Sequence, residues 1–415
     1  MNDLESMYLC SGFCQMVGAA SAILSINNTV VIFNSPRWCA LTAERELMKV
    51  NRDYEDRLFC TEARQDTLVY GVEAALNETL EEASAKVEKA EMTAVLTSCS
   101  MGLIGDDIKG IAARNTDVRF LLSIDAGGLT GNFISGYTMA FLKVLQSIDF
   151  ISFPRNNKVN LIGVCTCYPH WQGNVEEMTR ILSLAGIEVN IILGSDDTDL
   201  QAIRRMTTAA LNIVLDRDLG LPIAKYLEEN YKQQYVVAEW PIGFKATEIW
   251  LRKICSILHI NDGCQKLEQE ILMLQGNIEE HCSWVEHNIN DYFLNKIVLY
   301  MPGAIGQALA NALKDSNIDL FVCKAVYVIN TACNYTKWNG FENINEDFSC
   351  SDGVLLLFGA DRERIIFRDF PKVIYFDFGI PASRCCSCWN SYVGVRGWQN
   401  FVSDFTNQLI GLYLR

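Results

Sequence analysis

Short apolar runs rich in β-branched and aromatic residues recur along the whole chain, at residues 29–33, 93–97, 120–124, 159–164, 189–193, 235–238, 296–300, 320–322, 354–358 and 373–376. Each reads as a buried strand. Between them lie stretches with apolar residues at three-to-four spacing, such as 175–184 and 221–231, which read as amphipathic helices ended by a glycine or a polar break. Parallel strands cannot be joined by a tight turn, and a helical crossover is the usual connection. The rhythm therefore predicts an α/β protein built from several doubly wound, Rossmann-like parallel sheets.

At 415 residues the chain exceeds one ordinary core, and a prior of roughly 150 residues per domain suggests about three domains. Polar character rises at residues 154–158 and again across 265–288, which gives blocks of 1–155, 156–275 and 276–415. Residues 266–284 combine helical periodicity with several charges and are expected to bridge the second and third blocks. The sequence shows no fixed-period repeat, so any repetition is architectural.

A formal charge of −15 argues against nucleic acid, whose binders need a basic face to displace counterions. No window approaches the roughly 20 apolar residues that span a bilayer. The apolar stretch 13–26 follows Asp3 and Glu5, with no Lys or Arg before Arg37, so the basic start of a signal peptide is missing. A cytoplasmic protein with no membrane partner is expected. Its 16 cysteines, about 4% of the chain, fall below the density of disulfide scaffolds, and a reducing compartment leaves them as thiols. Paired C-x-x-C modules at zinc-site spacing are absent.

In open parallel sheets, ligands bind beyond the carboxyl ends of the strands. Cys99 follows the run 93–97 directly and precedes a turn punctuated by Gly102 and Gly105, while Cys39 lies just past the run 29–33, after Pro36. Thiolate sulfur suits iron, and cysteines from separate loops can converge on one iron–sulfur cluster. Free cysteine also packs as a small hydrophobe. Position alone leaves both readings open for Cys14, Cys39 and Cys99.

The surrounding residues say more. Cys14-Gln-Met-Val-Gly18-Ala-Ala, Asn34-Ser-Pro36-Arg-Trp-Cys39 and Thr97-Ser-Cys99-Ser-Met-Gly-Leu-Ile-Gly105-Asp106-Asp107-Ile108 resemble, in order and spacing, the cysteine loops of the nitrogenase component 1 family. Asp66-Thr-Leu-Val-Tyr70-Gly71-Val-Glu73 is similar to its strand-turn segment, Pro241-Ile-Gly-Phe-Lys-Ala-Thr247-Glu248 to its middle-domain motif, and Tyr392-Val-Gly394-Val-Arg396-Gly397 to its C-terminal stretch. The resemblance thus covers nearly the whole chain.

That resemblance implies three Rossmann-like doubly wound parallel-sheet domains. It implies Cys14, Cys39 and Cys99 as ligands of a [4Fe–4S] or larger cluster, at an interface with a homologous or identical subunit. It also implies an ATP-dependent iron protein as electron donor, and a small-molecule or tetrapyrrole substrate. No G-x-x-x-x-G-K-[ST] loop occurs here, so ATP hydrolysis would belong to the donor. The expected function is that of a nitrogenase-like reductase subunit; the alternative is a scaffold for metallocluster assembly.

Departures from the family pattern are specific. Asn34, Ser35 and Pro36 stand where many members carry His-Gly-Pro, so contacts behind the ligands are expected to differ. Cys60, beside the strand-turn segment, is either a further cluster ligand or a packed thiol. Asp216 and Val393 align with the cysteine and histidine that hold the iron–molybdenum cofactor elsewhere in the family, so that mode of binding is not expected. Cys385, Cys386 and Cys388, and separately Cys165, Cys167 and His170, are further metal candidates weighed against plain packing. Asp106 and Asp107, at a helix start, read as caps rather than an acid–base pair.

Overall fold

The computed structural model describes residues 14–114, 120–151, 155–289, 292–301, 303–316, 318–330, 353–360, 364, 367–368, 370–379 and 390–413. Among these, the strands form three four-stranded sheets. β1 (Thr29–Asn34), β2 (Leu58–Cys60), β3 (Met92–Thr97) and β4 (Leu121–Asp125) take the order β2-β1-β3-β4. β5 (Val159–Ile162), β6 (Val189–Leu193), β7 (Leu211–Val214) and β8 (Tyr235–Val237) take the order β6-β5-β7-β8. β9 (Leu294–Met301), β10 (Cys323–Asn330), β11 (Val354–Gly359) and β12 (Val373–Asp377) take the order β10-β9-β11-β12. Every pair whose register is defined runs parallel. One order is therefore used three times: the chain starts inside the sheet, steps to one side, then crosses to the other. The α/β fold follows from the strand–helix rhythm, and each sheet has a topological switch point between its first and third strands.

β1 and β3 are buried at every position, as expected where helices cover both faces of a parallel sheet. Val30, Ile32 and Val95 pack with Leu76 and Leu80 of the helix Glu73–Lys86, and with Met101, Ile108 and Ile111 of the segments that follow β3. The helix Gln15–Leu24 is buried along its whole length and packs on β1, β3 and the helix Phe133–Ser147. The two helices meet backbone to backbone at glycines. A Cβ on Gly18 would stand 1.8 Å from the Phe133 carbonyl oxygen, and one on Gly136 would stand 1.9 Å from that of Gln15.

The chain divides into two compact units, Met1–Cys167 with Asn190–Tyr235, and Tyr168–Val189 with Val236–Arg415. The first holds the sheet of β1 and nearly all of the sheet of β5; the second holds the sheet of β9.

Three local differences from the sequence reading have physical causes. β2 is only three residues long, too short for a period to show. β7 carries Asn212 in its centre, where Asn160 Nδ2 donates to Asn212 Oδ1 (2.7 Å) and Asn190 Nδ2 donates to Asn160 Oδ1 (2.8 Å). A buried amide ladder thus replaces apolar pairing, and no β signal survives. The run 320–322 is not a strand but overlaps the 3₁₀ turn Asp319–Phe321, where Phe321 packs on Trp398, Phe401 and Phe405; the strand starts at Cys323. The helix expected at 266–284 runs over Gln265–Asn288. Among the described residues, no helix is long and apolar enough to cross a membrane.

Candidate metal centre

The switch point of the first sheet lies between β1 and β3, and a cysteine-bearing helix starts just past the end of each. β1 leads through Pro36 into the helix Arg37–Met48, with Cys39 in its first turn. β3 leads through Ser98 into Cys99–Ile104, which Cys99 opens. Cys14 is the N-cap of Gln15–Leu24 and forms an isolated bridge with Asn132, at the end of the loop that follows β4. All three thiols therefore sit at helix starts, where unpaired N–H groups and the helix dipole favour negative charge.

The thiols share one neighbourhood. Burial pushes the Cys14 thiol above its ordinary range; the amides of Met16, Val17 and Gly128 oppose that shift, and Cys99 adds to it. Cys39 is also raised, first by desolvation and then by the charges of Cys14, Cys99 and Cys60. A Cβ placed on Gly128 would lie 2.9 Å from Cys14 Sγ and 4.0 Å from Cys99 Sγ, so the two sulfurs are separated by no more than the sum of those distances. A Cβ on Gly127 would lie 3.4 Å from Cys99 Sγ. The glycine pair thus keeps clear the space beside two sulfurs.

This loop is held in place. The Thr130 hydroxyl donates to Gln15 Oε1 (2.7 Å), Thr130 N–H donates to the Gly127 carbonyl (3.0 Å), and Asn132 Oδ1 accepts the Ser135 N–H (3.0 Å). Sequence reasoning missed Gly127 and Gly128. Their one signal is a glycine pair two residues past a strand end.

Among the described residues, no three His, Cys, Asp or Glu side chains are placed to hold a single metal ion. The thiols are gathered but not closed on one point, which suits a polynuclear group several ångströms across better than a lone ion. Asn34 Nδ2 and Thr97 Oγ1 are buried without a hydrogen-bond partner, on residues paired across β1 and β3 at the same switch point. Unused buried polar atoms are costly, and they point to an uncompleted site. Thiols, a cleared cradle and spare polar groups together fit an iron–sulfur cluster.

Cys60 is a further candidate within electrostatic reach of this group, since its charge adds to the raising of Cys39. Cys60 ends β2, where its thiol donates to the Ser35 carbonyl (3.4 Å) and accepts the Glu62 N–H (3.3 Å). Burial raises its pKa while the Glu62 amide and Ser35 lower it, so its sulfur already has local partners. Cys165 and Cys167 follow β5, fully buried, with Ser21 Oγ at 3.5 and 3.2 Å from their sulfurs. His170 caps the helix Trp171–Leu184 at φ 62° and packs on Tyr392 and Phe378, and burial pushes its pKa down to about 4. It is a neutral, packed imidazole. The reading of Cys165, Cys167 and His170 as a metal site thus finds no support among the described residues, and Cys385, Cys386 and Cys388 lie outside them.

Asp107 Oδ1 accepts the Gly110 N–H (2.9 Å) in the helix Ile108–Ala113. Asp106 Oδ2 instead reaches the Val72 N–H (3.1 Å), at the start of Glu73–Lys86. Asp216 caps Arg217–Tyr231 through the N–H groups of Asp218 and Leu219 (2.8 and 3.0 Å).

Large apolar side chains stand exposed around the cysteines. Trp38 precedes Cys39 and is 78% exposed, Leu129 follows Gly128 at 80%, and Leu103 lies one turn past Cys99 at 83%. Leu41, Val69 and Tyr70 are exposed as well. Trp38, Leu103 and Leu129 each lie within four residues of a cysteine or of the glycine pair, and exposed apolar side chains beside a site fit an interaction surface.

Comparison with known proteins agrees with this architecture. The family profile described as Nitrogenase component 1 type Oxidoreductase matches residues 14–324. The chain is 23% identical to the nitrogenase vanadium-iron protein beta chain of Trichormus variabilis over 92% of its own length and 90% of that protein's. It is 22% identical to the nitrogenase iron-iron protein beta chain of Rhodobacter capsulatus, over 58% of this chain and 57% of that one. It is 28% identical to a light-independent protochlorophyllide reductase subunit of Chlorobium phaeovibrioides, over 42% of this chain and 33% of that one. A solved structure titled Nitrogenase Cp1 at pH 5 superposes with a TM-score of 0.72 at 18% identity, covering 97% of this chain and 88% of that one, which speaks to the fold.

Proposed function

The chain belongs to the nitrogenase component 1 type oxidoreductase family, and from that premise we propose that it is a subunit of a nitrogenase-like reductase. In this reading it holds an iron–sulfur cluster against a second subunit, identical or homologous, and relays electrons from an ATP-dependent iron–sulfur partner to a bound small molecule. The blocks 1–155, 156–275 and 276–415 are in this reading three domains, each carrying one of the three sheets. The observation that carries the reading is the gathering of Cys14, Cys39 and Cys99 at one switch point, beneath an exposed apolar rim.

Cys14, Cys39 and Cys99 would hold the cluster through thiolate sulfur, with Cys60 as a further thiol at the edge. When bound, the cluster supplies one-electron redox chemistry. The protein's own part begins with protons: Cys14 and Cys39 are raised by burial, so ligation must displace protons from both. Amides of Met16, Val17 and Gly128 then stabilise the sulfur charge on Cys14. Gly127 and Gly128 keep the volume open, and a partner seated on Trp38, Leu103 and Leu129 would exclude water. The relatives' names include both nitrogenases and a protochlorophyllide reductase, so a tetrapyrrole is one substrate class within the reading.

The test is iron and acid-labile sulfide analysis with electron paramagnetic resonance on anaerobically purified full-length protein. Stoichiometric iron that is lost in Cys14→Ala and Cys99→Ala, with unchanged circular dichroism, is expected. A colourless, iron-free protein from anaerobic cells would sink the proposal. ATP-dependent turnover with an iron protein separates a reductase from an assembly scaffold, which instead yields a transferable cluster and no turnover.

A further inference from the structure

A further pair of thiols lies in the other compact unit. Cys255 is in the last turn of the helix Phe244–Ile257, and Cys264 is the N-cap of the helix Gln265–Asn288. The turn between them doubles back tightly. Ile260 N–H donates to the Cys255 carbonyl (2.9 Å), and His259 and Asp262 take positive φ angles of 57° and 59°. A Cβ on Gly263 would stand 2.7 Å from Cys255 Sγ, so that sulfur rests against the backbone of the residue that precedes Cys264. Each thiol acts electrostatically on the other, so the two sulfurs are neighbours. Both are free and buried, while Arg252 beside Cys264 is exposed, so the pair lies just beneath the surface.

We propose that Cys255 and Cys264 are an oxidative modification site that closes to an intrachain disulfide on exposure to hydrogen peroxide. A disulfide needs two cysteines brought close in space, and the tight turn that seats Cys255 sulfur against Gly263 does this for Cys255 and Cys264. Burial raises the Cys264 thiol, and Glu268 and Glu248 add to this, but Cys255 and the Arg252 guanidinium oppose it, so Cys264 is the sulfur of the pair that ionises more readily and the one that attacks. Cys255 is pushed up to about 11, chiefly by burial, and stays protonated as the resolving thiol.

The thiolate of Cys264 attacks one peroxide oxygen, the O–O bond breaks, and a sulfenic acid and hydroxide result. Cys255 sulfur then attacks the Cys264 sulfur; the S–S bond forms, the S–O bond breaks and water leaves. Two thiols give up two electrons and two protons, and one peroxide becomes two waters. The product ties the end of one helix to the start of the next and pins residues 258–263 between them. The proposal is independent of the cluster reading.

Trypsin cuts after Lys253 and Lys266, so both cysteines fall in one peptide, residues 254–266. Full-length protein is treated with graded peroxide, blocked with iodoacetamide and digested without reductant, and exposed Met273 serves as an internal gauge of oxidant dose. The expected peptide is lighter by two hydrogens and refuses iodoacetamide until dithiothreitol is added. In Cys255→Ser, oxygen adducts are expected to build up on Cys264 instead. If both thiols remain alkylatable once Met273 is fully oxidised, or if oxygen adducts accumulate in the unmutated protein with no disulfide, the proposal fails.

Discussion

The first and second sheets share one strand order, and both switch points carry cysteines just past a strand end, yet the two places are built differently. Past β1 and β3, Cys14 and Cys99 are half-buried, Cys39 is exposed, and two glycines leave room beside the sulfurs. Past β5 every residue from Val164 to Cys167 is buried. There the Tyr137 hydroxyl donates to the Val164 carbonyl, and the Tyr54 hydroxyl donates to Thr166 Oγ1 (3.3 Å). A Cβ on Gly194 would collide with both that carbonyl and Tyr137. Burial pushes Cys165 well above the usual thiol range. Parallel topology offers a crevice at each switch point, but side-chain volume decides whether it stays one. Two tyrosines fill the second crevice, and two glycines keep the first open.

The sharpest break of this contrast is to exchange thiols. Cys14→Ala or Cys99→Ala is expected to cut iron per chain by about tenfold or more, because loss of a ligand exceeds the effect of losing a group behind one. Cys165→Ala with Cys167→Ala should leave iron unchanged and cost about 1–3 kcal/mol in a urea melt. Next in size, Tyr137→Ala should empty the filled crevice at about 3–5 kcal/mol, measured in the same way, without creating a new iron site.

Gly128→Ala tests the open crevice from within. A methyl 2.9 Å from Cys14 Sγ should lower iron occupancy several-fold, whereas Gly102→Ala, whose Cβ would meet nothing within 4 Å, should leave it unchanged. Titration adds a signed test. The fold holds Cys14 and Cys39 protonated, with pKa values raised above the ordinary 9.0, so iron uptake should strengthen as pH rises from about 7 toward 9. The metal-free chain should behave oppositely. Stability that these thiols contribute is present below pH 9.0 and is lost as pH rises through their raised values, as calorimetry on metal-free protein can follow. The smallest effect is expected from Thr97→Val, which removes an unsatisfied buried hydroxyl. It should stabilise the metal-free protein by about 1 kcal/mol while altering the resonance spectrum of the loaded one.

Much of the fold is legible in the sequence alone. Fully buried β1 and β3 announce themselves as apolar runs, and the place of Cys39 and Cys99 just past those runs is legible too, although the helices that carry them are not. The C-terminal motif is visible as a motif, but its work is not. Gly394 at φ 74° leaves no room for a Cβ beside Glu177, whose Oε1 accepts the Arg396 N–H (3.1 Å), while Arg180 and Arg396 both pair with Glu270. That arrangement is a polar joint inside the second unit. β2 and β7 stay hidden, one for its brevity and the other because its centre is an asparagine.

By itself the sequence determined the α/β class and the parallel sheets, because strand and helix periods are local properties of the chain, and it pointed to the three cysteine-bearing segments through their resemblance to a family. Only the tertiary structure decided that Gly127 and Gly128 stand beside Cys14 and Cys99, that Tyr54 and Tyr137 close the neighbouring crevice, and that Cys255 meets Cys264. Those facts depend on which distant segments share a few ångströms of space, and no local period encodes that.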